Sequence, residues 1–259
     1  MLRSSTQLLR RVRALSTSTA APREGQTTRR IGTVLFGGVA AGTGCLCAWQ
    51  LNRYGWKVNL IAERTAKLNE PPISLASEPA EFTHVALAGE FDHGAQQLLG
   101  PRSPPPGVLE QRAGAPATGW DVLTPLACAD GRRVLVNRGW VPREAVDAVG
   151  RPTGAQAVRG VVRRGEPPNK YVKTNGDGGR WMWLDLPTIA RAARCDDAAV
   201  VYALADGGET REREAAWPLC RTRTSFLDFY VMPSTHLVYA ATWGSLAAIG
   251  AVLTRMRFR

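Results

Sequence analysis

Residues 31–52 run without a charged side chain, IGTVLFGGVAAGTGCLCAWQLN, with Arg29 and Arg30 before them and Arg53 after them. A helix crosses the hydrocarbon of a bilayer with roughly 20 apolar residues, so this run of 22 is long enough. Its five glycines dilute the hydrophobicity, yet glycine is common in membrane spans and lets helices approach closely. A second uncharged run, residues 237–254, has 18 residues and ends in Arg-Met-Arg-Phe-Arg, whose long side chains can snorkel to the interface. Each run could instead be a buried helix of a soluble protein. Charges at the flanks and aromatics at one end (Trp49, Tyr54 and Trp56 on the first, Tyr239 and Trp243 on the second) favour spanning. Two spans put both termini on one side of a membrane and everything between them on the other.

The net charge of +11 suggests nucleic acid until the charges are located. Residues 1–30 hold seven arginines and one acid, Glu24, a net +6; Arg53 adds one, and Arg255, Arg257 and Arg259 add three. The body, residues 54–235, has 22 basic and 21 acidic residues, a net +1. Charge gathered at the ends and beside apolar runs belongs to targeting and membrane flanks rather than to a phosphate-tracking face. No basic face with interleaved aromatics offers itself to nucleic acid, so none is expected as a partner.

The first 23 residues contain five arginines, seven serines and threonines, and no acid. That composition, in a stretch able to form an amphipathic helix, is that of a mitochondrial transit peptide, with a disordered basic tail as the alternative. The potential across the inner membrane draws such a segment inward. On this reading residues 1–30 are transit peptide and matrix tail, 31–52 the first transmembrane helix, 53–235 a domain in the intermembrane space, 236–254 the second transmembrane helix and 255–259 a matrix tail. The arginines at 29–30 and 255–259 then share the matrix side, as the positive-inside tendency asks. The expected location is the mitochondrial inner membrane, crossed twice.

The body reads mainly as strands. HVALAGEFD (84–92), GWDVLTPLAC (119–128), RRVLVNRGWVP (132–142), QAVRGVVRRGE (156–166) and AVVYALADGG (199–208) are rich in β-branched residues and bounded by Gly, Asp or Pro. CADGRR joins the second to the third as a hairpin, because Asp-Gly accepts positive φ. Helices are expected at 55–69, continuing the first span, and at 185–195; the Pro/Gly-rich 101–119 reads as a surface loop. Roughly 180 residues bury a sizeable core. The expected fold class is a membrane protein with two transmembrane helices flanking one mainly-β, barrel-like, antiparallel α+β soluble domain.

No GxSxG elbow, HExxH, Walker loop, GxGxxG or CxxC occurs, so no enzyme is expected. Cys45 and Cys47 are two apart, about 200° around a helix, and suit packing better than one shared metal. Cys128, Cys195 and Cys220 could form one disulfide in an oxidising compartment, with no pairing deducible. His84 falls in a strand pattern and His93 at a turn, both better read as structural. In VLVNRGWVP, Val134, Val136 and Arg138 share a strand face, and Gly139 suits a bulge or a close backbone approach. Arg138 is a candidate for pairing a carboxylate, internal or on a partner subunit. Trp140 is a core candidate first and a partner contact second.

His236 differs, standing at the lip of the second span. A neutral imidazole there can coordinate a haem iron, with Tyr239 and Trp243 on its helical face to flank a flat ring. On the first span Trp49, Arg53 and Trp56 share a face, and the guanidinium could pair with a porphyrin propionate. An aromatic belt plus one snorkelling polar residue remains the other reading.

The stretches WQLNRYGWK, GEFDH, LLGPR, GWDVLTP, LVNRGWVP, WMWLDL and HLVYAATW stand in the order seen in the Surfeit locus protein 1 family, and the chain resembles that family over roughly residues 45 to 250. The resemblance implies a non-enzymatic assembly factor of the mitochondrial inner membrane. Such a factor assists haem a insertion into the catalytic subunit of cytochrome c oxidase and stabilises that subunit's early intermediate. Its partners would be that subunit, other assembly factors and membrane lipid. Bacterial relatives are thought to bind haem a through the histidine that opens the second span, and His236 matches that position. Thr235, Gly244 and Leu184 stand where family members often carry Asn, an aromatic and Arg. The alternative is a haem-independent membrane scaffold for the oxidase subunit, which a glycine-rich span suits equally well. A membrane-anchored hydrolase or oxidoreductase lacks a nucleophile–base pair or cofactor motif.

Overall fold

A computed structural model describes residues 24–76, 78–106, 118–167, 175–205 and 217–258. The first 23 residues of the expected transit peptide, Arg259 and most of the 101–119 loop lie outside them. Three α-helices are described, α1 (Glu24–Asn69), α2 (Leu186–Ala193) and α3 (Pro233–Phe258). The chain divides into two compact units, one made of its two ends (Met1–Val58 and Val231–Arg259), the other of Asn59–Tyr230.

In the first unit, α1 and α3 are both long and apolar enough to cross a membrane. At about 1.5 Å per residue the 46 residues of α1 extend about 69 Å, more than twice a bilayer core, so the expected span is one part of a helix that runs on to Asn69. Pro233 opens α3, where its missing N–H interrupts no hydrogen bond. Large apolar side chains stand exposed around both helices, among them Val34, Phe36 and Val39 on α1 and Val238, Ile249 and Leu253 on α3. Apolar residues exposed on every side mark a helix made for lipid.

The helices pack antiparallel through small residues. A β-carbon on Gly250 would lie 3.3 Å from that of Ala40, one on Gly44 would lie 3.9 Å from that of Ala247, and one on Gly244 would lie 3.2 Å from the Cys47 sulfur. Phe258 stacks on Phe36 at 5.9 Å, and Arg29 donates to the Phe258 carbonyl. Gly37, Gly38 and Gly42 instead face open space. Cys47 is turned inward and Cys45 is exposed, as their spacing requires.

The second unit is a barrel. Its strands are β1 (His84–Phe91), β2 (Gln97–Arg102), β3 (Gly119–Cys128), β4 (Arg133–Pro142), β5 (Ala155–Arg163), β6 (Gly176–Asp177), β7 (Arg180–Trp181) and β8 (Asp196–Ala203). β1, β5, β8, β4 and β3 pair in that order and β3 returns to β1, closing a five-stranded ring; β2, β7 and β6 extend from β3. The ladders are antiparallel except β4–β8 and β2–β7, so the barrel is mixed where a purely antiparallel one is expected. A parallel neighbour needs a long crossover, and the chain through β5 and α2 supplies it. The ring order is that of the OB-type Greek-key barrel, an architecture that hosts many unrelated functions.

Alternation fills both faces of the wall. Val85, Leu126, Val136, Val162 and Val201, one from each ring strand, meet in one cluster inside the barrel. Their neighbours Leu135, Val161 and Val200 point the other way and are covered by Ile189 and Ala190 of α2 and by Leu68 at the end of α1. Strands buried on both faces read as continuous apolar runs, hence VLV and AVVY. Arg64, a turn before Leu68, lies 4.3 Å from the Phe82 ring and 4.7 Å from Phe229.

The expected hairpin joins β3 to β4, with Gly131 at φ +86°. The expected bulge is there too: Asp121 pairs with Trp140 and Leu123 with Asn137, so Arg138 and Gly139 stand opposite Val122 alone. Gly139 has φ +130°, and a side chain there would strike the Leu219 carbonyl, which accepts from the Trp140 N–H. The Asn137 carboxamide accepts the Gly139 N–H at 3.0 Å and holds the bulge.

Candidate functional site

His236 lies in the first turn of α3, half-buried against α1. Its Nδ1 is 2.8 Å from Oε1 of Gln50. An amide oxygen only accepts, so Nδ1 is the donor, and in a neutral ring the lone pair is then on Nε2. Gln50 is 8% exposed, on the face of α1 that also carries Ala40 and Cys47. Ala240, one turn after His236, is buried on the same side of α3.

The expected residues divide into three groups. Trp243 is half-buried on the packing side of α3, while Tyr239 is exposed. Trp49 and Trp56 are exposed on α1, and the Arg53 guanidinium lies 4.2 Å from the Trp56 ring. Trp49, Arg53 and Trp56 thus share a face, but Gln50, not they, turns toward His236. Gln50 stands in the motif Trp-Gln-x-x-Arg without a role assigned to it in the sequence reading. The signal that finds it is spacing: with Ala40, Thr43 and Cys47 it repeats at intervals of three and four, the stripe of a helix–helix contact.

This geometry presents one imidazole, held by an amide, at the packing face of the two helices. No three His, Cys, Asp or Glu residues gather among the described residues. No disulfide joins any of the five cysteines, Cys128, Cys195 and Cys220 included. Burial pushes the Cys195 thiol up to about 12, which keeps it protonated and unreactive.

The candidates on β4 belong to the interior. Arg138 is 8% exposed, donates to the Gly150 carbonyl at 2.6 Å and lies over the Phe91 ring at 5.0 Å. It meets no carboxylate among the described residues, and burial lowers its pKa. Trp140 is fully enclosed, donating through Nε1 to the Arg102 carbonyl at 3.0 Å with Trp217 edge-on at 6.1 Å. Trp140 is thus the core residue its first reading gave rather than a partner contact, and Arg138, read as pairing a carboxylate inside the protein or on a partner, instead meets a backbone carbonyl and a ring in the interior. The carboxylate of this region is Asp121, 1% exposed, which accepts from Asn137 at 3.0 Å with Arg221 at 3.7 Å. Burial raises its pKa, against the opposing pull of Arg221. His84 Nδ1 is 3.1 Å from the Glu70 carbonyl and His93 Nε2 is 2.9 Å from that of Pro152, both structural.

A closed barrel flanked in the chain by two candidate spans, with an amide-held imidazole where the spans meet, defines a membrane protein with a β-barrel domain. The chain belongs to the SURF1 family, whose model matches residues 38–248. It is 33% identical over 215 residues to a SURF1-like protein of Monosiga brevicollis, covering 79% of this chain and 78% of that one. It is 30% identical over 236 residues to Surfeit locus protein 1 of Homo sapiens, covering 82% and 73%. The protein of the same name from Arabidopsis thaliana is 27% identical over 280 residues, covering 87% and 76%. The departure at Gly244 has a local reason, since the Cys47 sulfur occupies the space a side chain there would need.

Proposed function

We propose that this protein is a non-enzymatic assembly factor for cytochrome c oxidase in the mitochondrial inner membrane, with its barrel in the intermembrane space. It assists haem a insertion into the catalytic subunit and stabilises that subunit's early intermediate, alongside other assembly factors and membrane lipid. Family membership supports the oxidase reading. The observation that carries the haem reading is the His236–Gln50 hydrogen bond, which engages Nδ1 and leaves Nε2 as the nitrogen a neutral ring would present to a ligand.

His236 has the chemistry such a group needs, an imidazole near half-buried Trp243, while Trp49, Arg53, Trp56 and Tyr239 stand exposed on the two helices. His236 would supply Nε2 to the iron, Arg53 a cation for a propionate, and Trp49, Trp56, Tyr239 and Trp243 apolar ring surface. Bound there, haem a would supply an iron able to accept one nitrogen lone pair. Arg53 lies on Trp56, which keeps its charge beside apolar surface.

Protein purified from haem-a-producing cells should retain a haem spectrum that vanishes in His236→Ala. Haem absent from both would favour a scaffold. Protease added to intact mitoplasts should digest the barrel, and its protection would reverse the topology. The scaffold reading has one observation of its own: Gly38 and Gly42, at the spacing of a helix-dimer motif, face away from α3. On that reading Gly38→Leu would lose the co-purifying oxidase subunit, whereas His236→Ala would keep it.

A further inference from the structure

Among the described residues of the two spans, Gln50 alone is a buried polar side chain. Helix pairs in lipid need only small or apolar residues at such a position, and an amide withdrawn from water costs free energy unless it is paired. Its pairing is with one atom, Nδ1 of His236, at 2.8 Å. A leucine or methionine would fill the same space but could not choose between the two imidazole tautomers. A free imidazole divides its proton between its nitrogens and turns about its side-chain bonds; one held by an acceptor at Nδ1 does neither. Ala240 and Gly244, the residues after it on the packing side, carry no hydrogen-bonding side chain.

We infer that Gln50 is a positioning residue for His236: its carbonyl oxygen fixes the Nδ1–H tautomer and the ring orientation, so that Nε2 is the atom presented to a ligand. The inference rests on the reading of His236 as the haem ligand, and it adds the residue that makes His236 competent. Partners of a ligating histidine's second nitrogen act in this way, and losing one typically weakens metal binding about 10–100-fold.

The test uses the full chain in nanodiscs, with imidazole nitrogens labelled for NMR and purified haem a as the probe. Without haem, His236 should show one Nδ1–H tautomer in the wild type and a mixture in Gln50→Leu and Gln50→Met. Gln50→Glu, isosteric and still an acceptor, should keep the wild-type tautomer. Haem a should bind about 10–100-fold more weakly to the Leu and Met variants, with near wild-type binding in Gln50→Glu. An unchanged thermal melt of the barrel, with cysteines placed at positions 44 and 247 still cross-linking the helical pair, shows that each variant is folded. Haem retained with an unaltered spectrum in His236→Ala would remove the ligand reading itself. Haem lost in His236→Ala, but bound normally by Gln50→Leu and Gln50→Met with the tautomer unchanged, would remove the role of Gln50 alone.

Discussion

In the barrel, Val85, Leu126, Leu135, Val161 and Val201 are wholly enclosed, whereas in the helical pair Val34, Phe36, Val238 and Ile249 stand exposed. The pair buries Ala40, Gln50 and Ala240 instead. Water drives β-branched side chains together because each apolar area removed from it is favourable. Lipid offers no such gain, so a helix pair is held by close contact of small residues and by scarce polar bonds. The lesson lies in the polar residues. In the barrel Asp121, Asn137 and Arg221 are one polar cluster within a large apolar core. In the pair the one buried polar side chain meets the one histidine, so that bond carries more of the specificity.

The contrast breaks most visibly at Trp140. Trp140→Ala removes an enclosed indole and its hydrogen bond, and should cost the barrel about 3–5 kcal/mol, read in its thermal or denaturant melt. A wild-type melt would mean that the indole is not part of the core. A cysteine pair at positions 44 and 247, whose β-carbons lie about 3.9 Å apart, should cross-link as efficiently in that variant as before.

The complementary change is Gly250→Leu. Forcing a side chain against Ala40 overpacks the helical pair by about 1–3 kcal/mol and should abolish the 44–247 cross-link while the barrel melts normally. Gly38→Leu, into open space, should leave both unchanged. Equal damage from the two glycines would show that α1 and α3 pack on another face.

A smaller effect concerns pH. Burial raises the Asp121 pKa, so the folded state holds this proton more tightly than the unfolded one. The sign follows: stability from this group falls as pH rises from the ordinary carboxylate range through the raised folded value, and is recovered on acidification. Asp121→Asn, which can still accept from Asn137, should flatten that slope in melts recorded across the window. A steeper slope would mean that Arg221 outweighs burial.

The smallest effect should come from Glu81→Gln. The Arg163–Glu81 pair at 2.9 Å is about one-third exposed at each side chain, so its loss should cost under about 1 kcal/mol and vanish at high salt.

Legibility differed between elements for physical reasons. GWDVLTPLAC reads as a strand because seven of its residues, from Trp120 to Leu126, resist any interpretation but a two-faced burial or pairing within a wall, and β3 covers that stretch. Gln97–Arg102 does not, because Gly100-Pro101 signals a loop and only pairing with β3 and β7 overrides it. The parallel β4–β8 ladder is invisible locally, since parallel and antiparallel strands share the same alternation. At the site, His236 is legible as a lone imidazole at an apolar lip. Gln50 is not, because one amide in a span gains meaning only from what faces it.

The sequence by itself determined the two apolar runs, the strand-rich body between them, the hairpin at Gly131 and the bulge at Gly139, for these depend on solvent transfer and local backbone geometry. Tertiary structure alone decided that the barrel closes through a parallel pair, that Arg138 meets a backbone carbonyl instead of a carboxylate, and that Gln50 rather than Arg53 meets His236. Those outcomes depend on which residues distant in the chain come within reach of one another, and no local pattern encodes that distance.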